Sequence, residues 1–310
     1  MNIIIVGAGM AGLIAANMLR RHTVRIWEKS PTLPSNHTAV LRFRTTAVSD
    51  ATGIPFSHQL VHKGFWKDDR VVNEVTIEDM NRYSLIVTGG HLYQRSVFNL
   101  STAERWCAPR DFVEQMARKL DIELDMPFVG RTAPIDEGTH IISTMPMPLM
   151  MGMHGYNGPE FKSLPVWTIK TTFAGIASSV CQTLYQATLN SWYRATIHGQ
   201  ELTLEFMFDP SEMMRPGLWC DAAMSKFGMF EDPLSSWKFG DVKLNRIHIG
   251  KILPIDEAAR KRFMLWLTEK HGIYSLGRFA TWRNILLDDI VKDVKKIEAM
   301  IERGSTYDLR

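Results

Sequence analysis

Three glycines and one acid near the start of the chain are spaced for a definite chemical task. Gly7, Gly9 and Gly12 sit in GAGMAG, directly after the apolar run NIIIV and directly before the apolar-periodic stretch LIAANMLRR. Glu28 ends a second apolar run, TVRIWEK. Strand, glycine turn, helix, strand and acid, in that order, form the full context of a dinucleotide-binding fingerprint. Gly7 permits the tight turn, Gly9 lets backbone approach a pyrophosphate, and Gly12 allows the helix to pack close to the strand. The helix N-terminus adds free N–H groups and positive dipole. Glu28 can accept hydrogen bonds from a ribose diol. An acid at this position disfavours a 2′-phosphate, so NAD or FAD is expected rather than NADP. Lys29, beside it, belongs to the expected cofactor set.

A second constellation lies near the other end, in SLGRFATWRNILLDDIV from Ser275 to Val291. A glycine turn carries Arg278, and Asp288 and Asp289 open a helix. Arg278 is of the right type to pair with a pyrophosphate, and that helix N-terminus could face a ribityl chain or the pyrimidine edge of a flavin. The same residues also describe a surface arginine and two capping acids. Arg42, Arg44 and Arg194 are candidates to fork onto a carboxylate or phosphate, and one of Arg42 and Arg44 to contact a cofactor diphosphate. Tyr185, Trp192 and Tyr193 lie on adjacent β segments that could wall a desolvated pocket. Lys251, in HIGKILP, is a candidate to sit near a flavin and orient a water. No Ser/His/Asp order, paired carboxylates or metal-ligand spacing stands out, which disfavours a hydrolase or metalloenzyme.

The elements that must position these residues can be read coarsely. Residues 1–29 read β–α–β. Residues 35–50 begin polar and then alternate, as a strand or extended loop with Arg42 and Arg44 on one side. Residues 51–104 are mixed and irregular. A helix is expected over 109–120, a strand in DIELDMPFV and a buried parallel strand in HIISTMP. The Met-, Gly- and Pro-rich stretch 147–164 reads as a loop between subdomains. From 165 to 209 the chain is β-rich, with a hairpin at His198–Gly199–Gln200. Helices are expected at 256–270 and 288–302. After Glu28 no further βα unit follows at once. A simple NAD dehydrogenase would continue with one, whereas flavoproteins often interrupt the cofactor domain, so FAD is the expected cofactor.

LGRFATWRNILLDDIVKDV resembles the C-terminal FAD motif of the glutathione-reductase-like flavoproteins, in their amine-oxidase and UDP-galactopyranose-mutase branch. That resemblance implies FAD-diphosphate contacts for Gly277 and Arg278, and a ribityl-side helix cap for Asp288 or Asp289. IISTMP resembles the family's strand end near the cofactor, which adds Thr144, with Val129, to the implied set. WYRATI and CQTLYQA resemble its substrate-domain sheet. The chain lacks the mutase-like histidine-rich glycine loop after Glu28 and is shorter than typical amine oxidases. HTAVLRFRT and WYRATI also resemble bacteriophage flavoproteins that trim amino-acid adducts from thymine in DNA.

The expected fold class is α/β: a Rossmann-like FAD-binding domain interrupted by an α+β substrate domain with an antiparallel sheet. The expected boundaries are 1–50, 105–150 and 272–310 for the FAD domain, and 51–104 and 151–271 for the substrate domain. The resemblance implies an FAD-dependent oxidoreductase or lyase acting on a C–N bond of an amine or amino-acid-like group, such as a glycine-modified thymine in phage DNA. Lys251, Tyr185 and Arg194 are the catalytic candidates. A redox-neutral flavin mutase on a nucleotide sugar and a non-catalytic flavin-binding regulator are the alternatives.

Bulk properties bound these readings. The chain has 310 residues, is 45% hydrophobic and carries a net charge of +3, which fits an anionic substrate but is not the bias of a dedicated nucleic-acid binder. Its three cysteines are widely spaced, as in a reduced, cytoplasmic protein. No apolar run is long enough for a membrane span, and the N-terminus does not read as a signal peptide. The 18 Met and nine Trp are expected mostly in the core.

Overall fold

NIIIV has no polar side to turn to water, so as a strand it must be covered on both faces. The computed structural model describes residues 1–33, 41–90, 99–130, 138–174, 180–227 and 238–304. The start of the alternating stretch expected at 35–50 lies outside them. The strands are β1 (Asn2–Val6), β2 (Thr23–Trp27), β3 (Arg42–Phe43), β4 (Ser57–Lys67), β5 (Arg70–Val72), β6 (Ala103–Cys107) and β7 (Asp121–Glu123). They continue with β8 (His140–Ser143), β9 (Ser163–Thr172), β10 (Cys181–Tyr185), β11 (Arg194–His198), β12 (Glu201–Phe206), β13 (Lys243–Ile252) and β14 (Ile273–Ser275). The helices are α1 (Met10–Met18), α2 (Ala47–Thr52), α3 (Ile77–Val87), α4 (Phe112–Ala117), α5 (Met147–Met153), α6 (Pro216–Met224), α7 (Glu257–His271) and α8 (Leu287–Arg303).

The first sheet runs β14–β8–β1–β2–β7, all parallel. Because side chains alternate along a strand, Ile3 and Ile5 of β1 join a core with α1, α4 and α8, while Ile4 and Val6 join the opposite core with α5 and α7. The chain passes from β1 to β2 on one side and returns to β8 on the other. The turn after β1 therefore sits where the strand order reverses, the crevice in which open α/β sheets place their ligands.

The second sheet runs β13–β9–β12–β11–β10–β4–β6–β3, with β5 paired to β4. Its ladders are antiparallel except for β10 on β4. One face is apolar: Ile169, Leu184, Ile197, Leu202, Leu204 and Phe206 pack with Trp219, Cys220 and Ala223 of α6. The alternate positions Thr183, Arg194, Thr196, Thr203 and Glu205 occupy the other face, and Gly199, with φ +57°, turns the β11–β12 hairpin. The α/β class, the parallel cofactor-type sheet and the antiparallel hairpin sheet are as expected.

Several local expectations need correction. Residues 147–164 are not all loop, because α5 forms at once and buries Met147, Met150 and Met151. Its proline occupies the first turn, where a missing N–H is tolerated. The irregular 51–104 stretch contains the eleven-residue β4 and the helix α3. A Thr76–Asp79 capping box fixes the start of α3. The helix expected over 109–120 is only α4, and the strand in DIELDMPFV is only β7. β6 pairs with β4 on one side and β3 on the other, so Arg42–Phe43 and Arg105–Cys107 belong to the second sheet.

The C-terminal helix α8 packs Ile290, Val291, Val294, Ile297 and Ile301 into the same core as α1. Ile297→Ala is expected to lower unfolding free energy by about 2–5 kcal/mol, as buried Ile-to-Ala changes do; the shift of the urea midpoint measures it.

Candidate functional site

The glycine turn shows why each residue is small. Gly7 has φ +101°, and a Cβ there would lie 2.3 Å from the Thr144 hydroxyl. That hydroxyl is held in place, donating to the Val6 carbonyl at 2.8 Å. A Cβ on Gly12 would meet the Gly7 carbonyl oxygen at 2.0 Å. Gly9 differs from both. Its φ is an ordinary −70°, and a Cβ on it would have no protein atom within 4 Å. Gly7 and Gly12 are therefore demanded by the fold, while Gly9 faces open space at the start of α1. No side chain caps that helix, and its first turn holds no acid, so its N–H groups and positive end remain available to an anion. Glu28 is 8% exposed and accepts from the backbone of Ala8 at 2.7 Å and Ser30 at 3.0 Å. Each of its oxygens retains a further lone pair for a ribose hydroxyl.

The C-terminal constellation meets this turn. Gly277, at φ +93°, brings its backbone so close that a Cβ would lie 2.9 Å from that of Ala11. Asp288 accepts from the backbone N–H groups of Arg44 and Thr45, at 3.2 and 3.1 Å, and from the Thr45 hydroxyl at 3.0 Å. Asp289 closes on the Leu286 N–H at 2.9 Å. Both acids thus serve the start of α8, and Asp288 also ties it to the segment after β3. The guanidinium of Arg278 donates to the Gly250 carbonyl of β13 at 3.2 Å and lies over the ring of Phe279, so it bridges the two sheets. Lys29 is exposed beside Glu28, and Val129 is exposed in the loop after β7.

A cavity of about 240 Å³ opens on the polar face of the second sheet. Arg42, Arg44, Lys63 and Arg105 line it, with Thr183, Tyr185 and Thr196 on its floor and Leu286, just before α8, at its edge. The Arg42 guanidinium is held by the Thr183 hydroxyl at 3.2 Å and the Cys181 sulfur at 3.1 Å. Burial first, then repulsion from Arg105, Arg44 and Arg42, lowers the Lys63 ammonium below its ordinary value. Burial followed by Arg44 and Arg42 does the same to Arg105.

Register places three further residues in one row across β10, β11 and β12: Tyr185 opposite Arg194, and Arg194 opposite Glu205. The Arg194 guanidinium donates to the Glu205 carboxylate. Burial alone would push the Glu205 carboxyl up; Arg194, with Lys251 adding its charge, outweighs it and holds the group at about 2. Lys251 is 8% exposed, with its ammonium 5.0 Å from the centre of the Tyr193 ring. The three catalytic candidates are thus linked through Glu205 and Tyr193. Trp192 does not wall this face; it lies in the apolar core with α6.

The sequence reading missed Glu205, Lys63 and Arg105. Glu205 had a local signal, since the polar residues of ELTLEF alternate and its last polar position is buried. Lys63 and Arg105 had none, because strand pairing alone brings them together. Two of the three thiols offer no reactive alternative: burial pushes Cys107 up to about 11 and Cys220 up to about 12.

No protein-family model matches the chain, and no curated protein matches it in sequence. Solved structures do match in fold. A reduced UDP-galactopyranose mutase superposes with a TM-score of 0.71 at 14% identity, covering 99% of this chain and 96% of that one. A probable FAD-dependent monooxygenase from Pseudomonas aeruginosa gives 0.56 at 12% identity, covering 98% and 87%. A flavin-dependent brominase gives 0.56 at 11% identity, covering 99% and 81%. The architecture is that of these flavoproteins.

Two outcomes follow from this geometry. Gly9→Ala is expected to leave unfolding free energy within about 0.5 kcal/mol of the parent yet abolish dinucleotide binding, whereas Gly12→Ala destabilises the fold; thermal melts and a binding titration separate the two. Because the Glu205 carboxyl is depressed by folding, its contribution to stability is complete above its unfolded value of about 4.3 and is lost as pH falls towards about 2. Glu205→Gln is expected to flatten the melting-temperature profile between about pH 4.5 and 2.

Proposed function

We propose that this chain is an FAD-dependent enzyme whose substrate is an amine or amino-acid-like group with an attached anion. The observation that carries the reading is the meeting of the two chain ends. Gly9 faces open space at an uncapped helix start. Glu28 waits on the ribose side, and Gly277, which precedes α8, packs against Ala11 of the same turn. An extended dinucleotide fits the donors at the uncapped start of α1, with Gly7, Gly9, Gly12, Glu28, Thr144 and Gly277 forming its bed. Bound flavin supplies an acceptor for hydride or electrons.

The polar face of the second sheet supports the substrate class. Cations around one cavity bind a carboxylate and at the same time disfavour an ammonium. An amine brought there is held neutral, the state in which hydride can leave the carbon next to nitrogen. Tyr185 borders the substrate, Arg194 and Glu205 fix the row beside it, and Lys251, buried against Tyr193, holds a proton or a water. A glycine-modified thymine of DNA has this chemistry, with an amine, a carboxylate and nearby phosphates.

A redox-neutral mutase on a nucleotide sugar is the second reading. The mutase's end-to-end superposition favours it, and the cations suit a diphosphate equally well.

Incubation with FAD is expected to give a yellow protein that keeps its flavin through gel filtration. Anaerobic addition of a glycine-modified thymidine nucleotide is then expected to bleach it. Lys251→Met is expected to slow bleaching by about 100-fold or more with flavin content unchanged. Activity that appears only after flavin reduction, without oxygen consumption, selects the mutase. A flavin that no amine and no nucleotide sugar engages marks a non-catalytic regulator, and a protein that takes up no FAD contradicts the whole reading.

A further inference from the structure

We propose that Lys63 and Arg105, with Arg42 and Arg44, form a subsite for a phosphate group carried by the substrate. This rests on the flavin reading only in giving the phosphate to the substrate rather than to the cofactor. The geometry begins with the ladder β3–β6–β4. Gln59 lies opposite Arg105 and Val61 opposite Ala103. Side chains alternate along a strand, so Val61, Lys63 and Arg105 share one face. All three line the cavity, together with Arg42 from β3 and Arg44 just after it. Four cations from three paired strands and a following residue are therefore gathered by backbone hydrogen bonding.

Among the described residues, no carboxylate lies within ion-pair distance of any of these four groups. Glu205, which also borders the cavity, is already paired with Arg194. Burial first, then the neighbouring arginines, lowers both Lys63 and Arg105, so gathering these like charges opposes folding until an anion enters. One carboxylate would leave most of that charge unbalanced. A phosphate brings up to two negative charges and three acceptor oxygens, which match arginine forks and an ammonium. The Thr183 and Thr196 hydroxyls on the same floor, 3.5 Å apart, are suited to a phosphate oxygen. The cofactor's own diphosphate already has donors at Gly9 and the start of α1. The substrate is thus a phosphorylated small molecule, such as a nucleotide, in which the reacting group is joined to a phosphate.

The test is thermal unfolding of the flavin-loaded protein at low ionic strength, titrated with inorganic phosphate and, separately, with acetate at matched ionic strength. Phosphate is expected to raise the melting temperature along a saturating curve, and acetate to have little effect. Lys63→Gln and Arg105→Gln are each expected to raise the melting temperature without phosphate and to weaken the phosphate response about tenfold, with flavin content unchanged. A purely structural role would lower it instead. The proposal is overturned if phosphate acts no better than acetate, or if the variants shed flavin while keeping their phosphate response, which assigns the cations to the cofactor. If the protein takes up no flavin, the function proposed above fails, and the same titration on the flavin-free chain still decides whether the subsite exists.

Discussion

The approach of two backbone turns, one from each end of the chain, is the constraint on which the rest depends. A Cβ on Gly277 would lie 2.9 Å from that of Ala11, and φ there is +93°, so the approach needs glycine at 277. That contact aligns the starts of α1 and α8 beside each other. The start of α1, which carries no acid and no side-chain cap, offers free N–H groups and positive dipole to that crevice. The apolar face of α8 holds the arrangement, since five of its residues are buried in the core shared with α1. Asp288 then extends the order to Arg44 and Thr45, and so to the first cations of the second sheet.

The second sheet answers a different demand. Its strands are apolar on the α6 side and polar on the other, which is ordinary for an antiparallel sheet with one wet face. Here the polar residues are nevertheless largely buried, Thr183, Thr196, Thr203 and Glu205 among them. A polar face buried in this way is a wall of a cavity rather than an outer surface. The Arg194–Glu205 pair fits that view, since it neutralises its own charge and leaves the field of the cavity to Arg42, Arg44, Lys63 and Arg105.

Much of this was legible in the chain where local rules apply. The glycine spacing, the apolar β1, the acid at 28, the β11–β12 hairpin and the amphipathic α8 all follow from period and turn chemistry. The helix α5 was not legible, because a proline within MPLMMGM reads as a breaker although it occupies a first helical turn. β3 could not be assigned to a sheet, since only pairing with β6 shows which layer it joins. The same limit explains the site. Arg42, Arg44 and Arg194 were visible as residue types, but Lys63 and Arg105 became meaningful only once β4 and β6 were set in register. Arg278 is of the type to meet a diphosphate, but its hydrogen bond to the Gly250 carbonyl of β13 is a contact between distant segments that no spacing encodes.

The most direct measurement of the central claim is amide hydrogen exchange with and without FAD. A single ligand spanning both chain ends predicts that FAD slows exchange together at residues 8–12 and at 286–290, with α7 unchanged. Protection at one end alone, or at neither, would contradict the account.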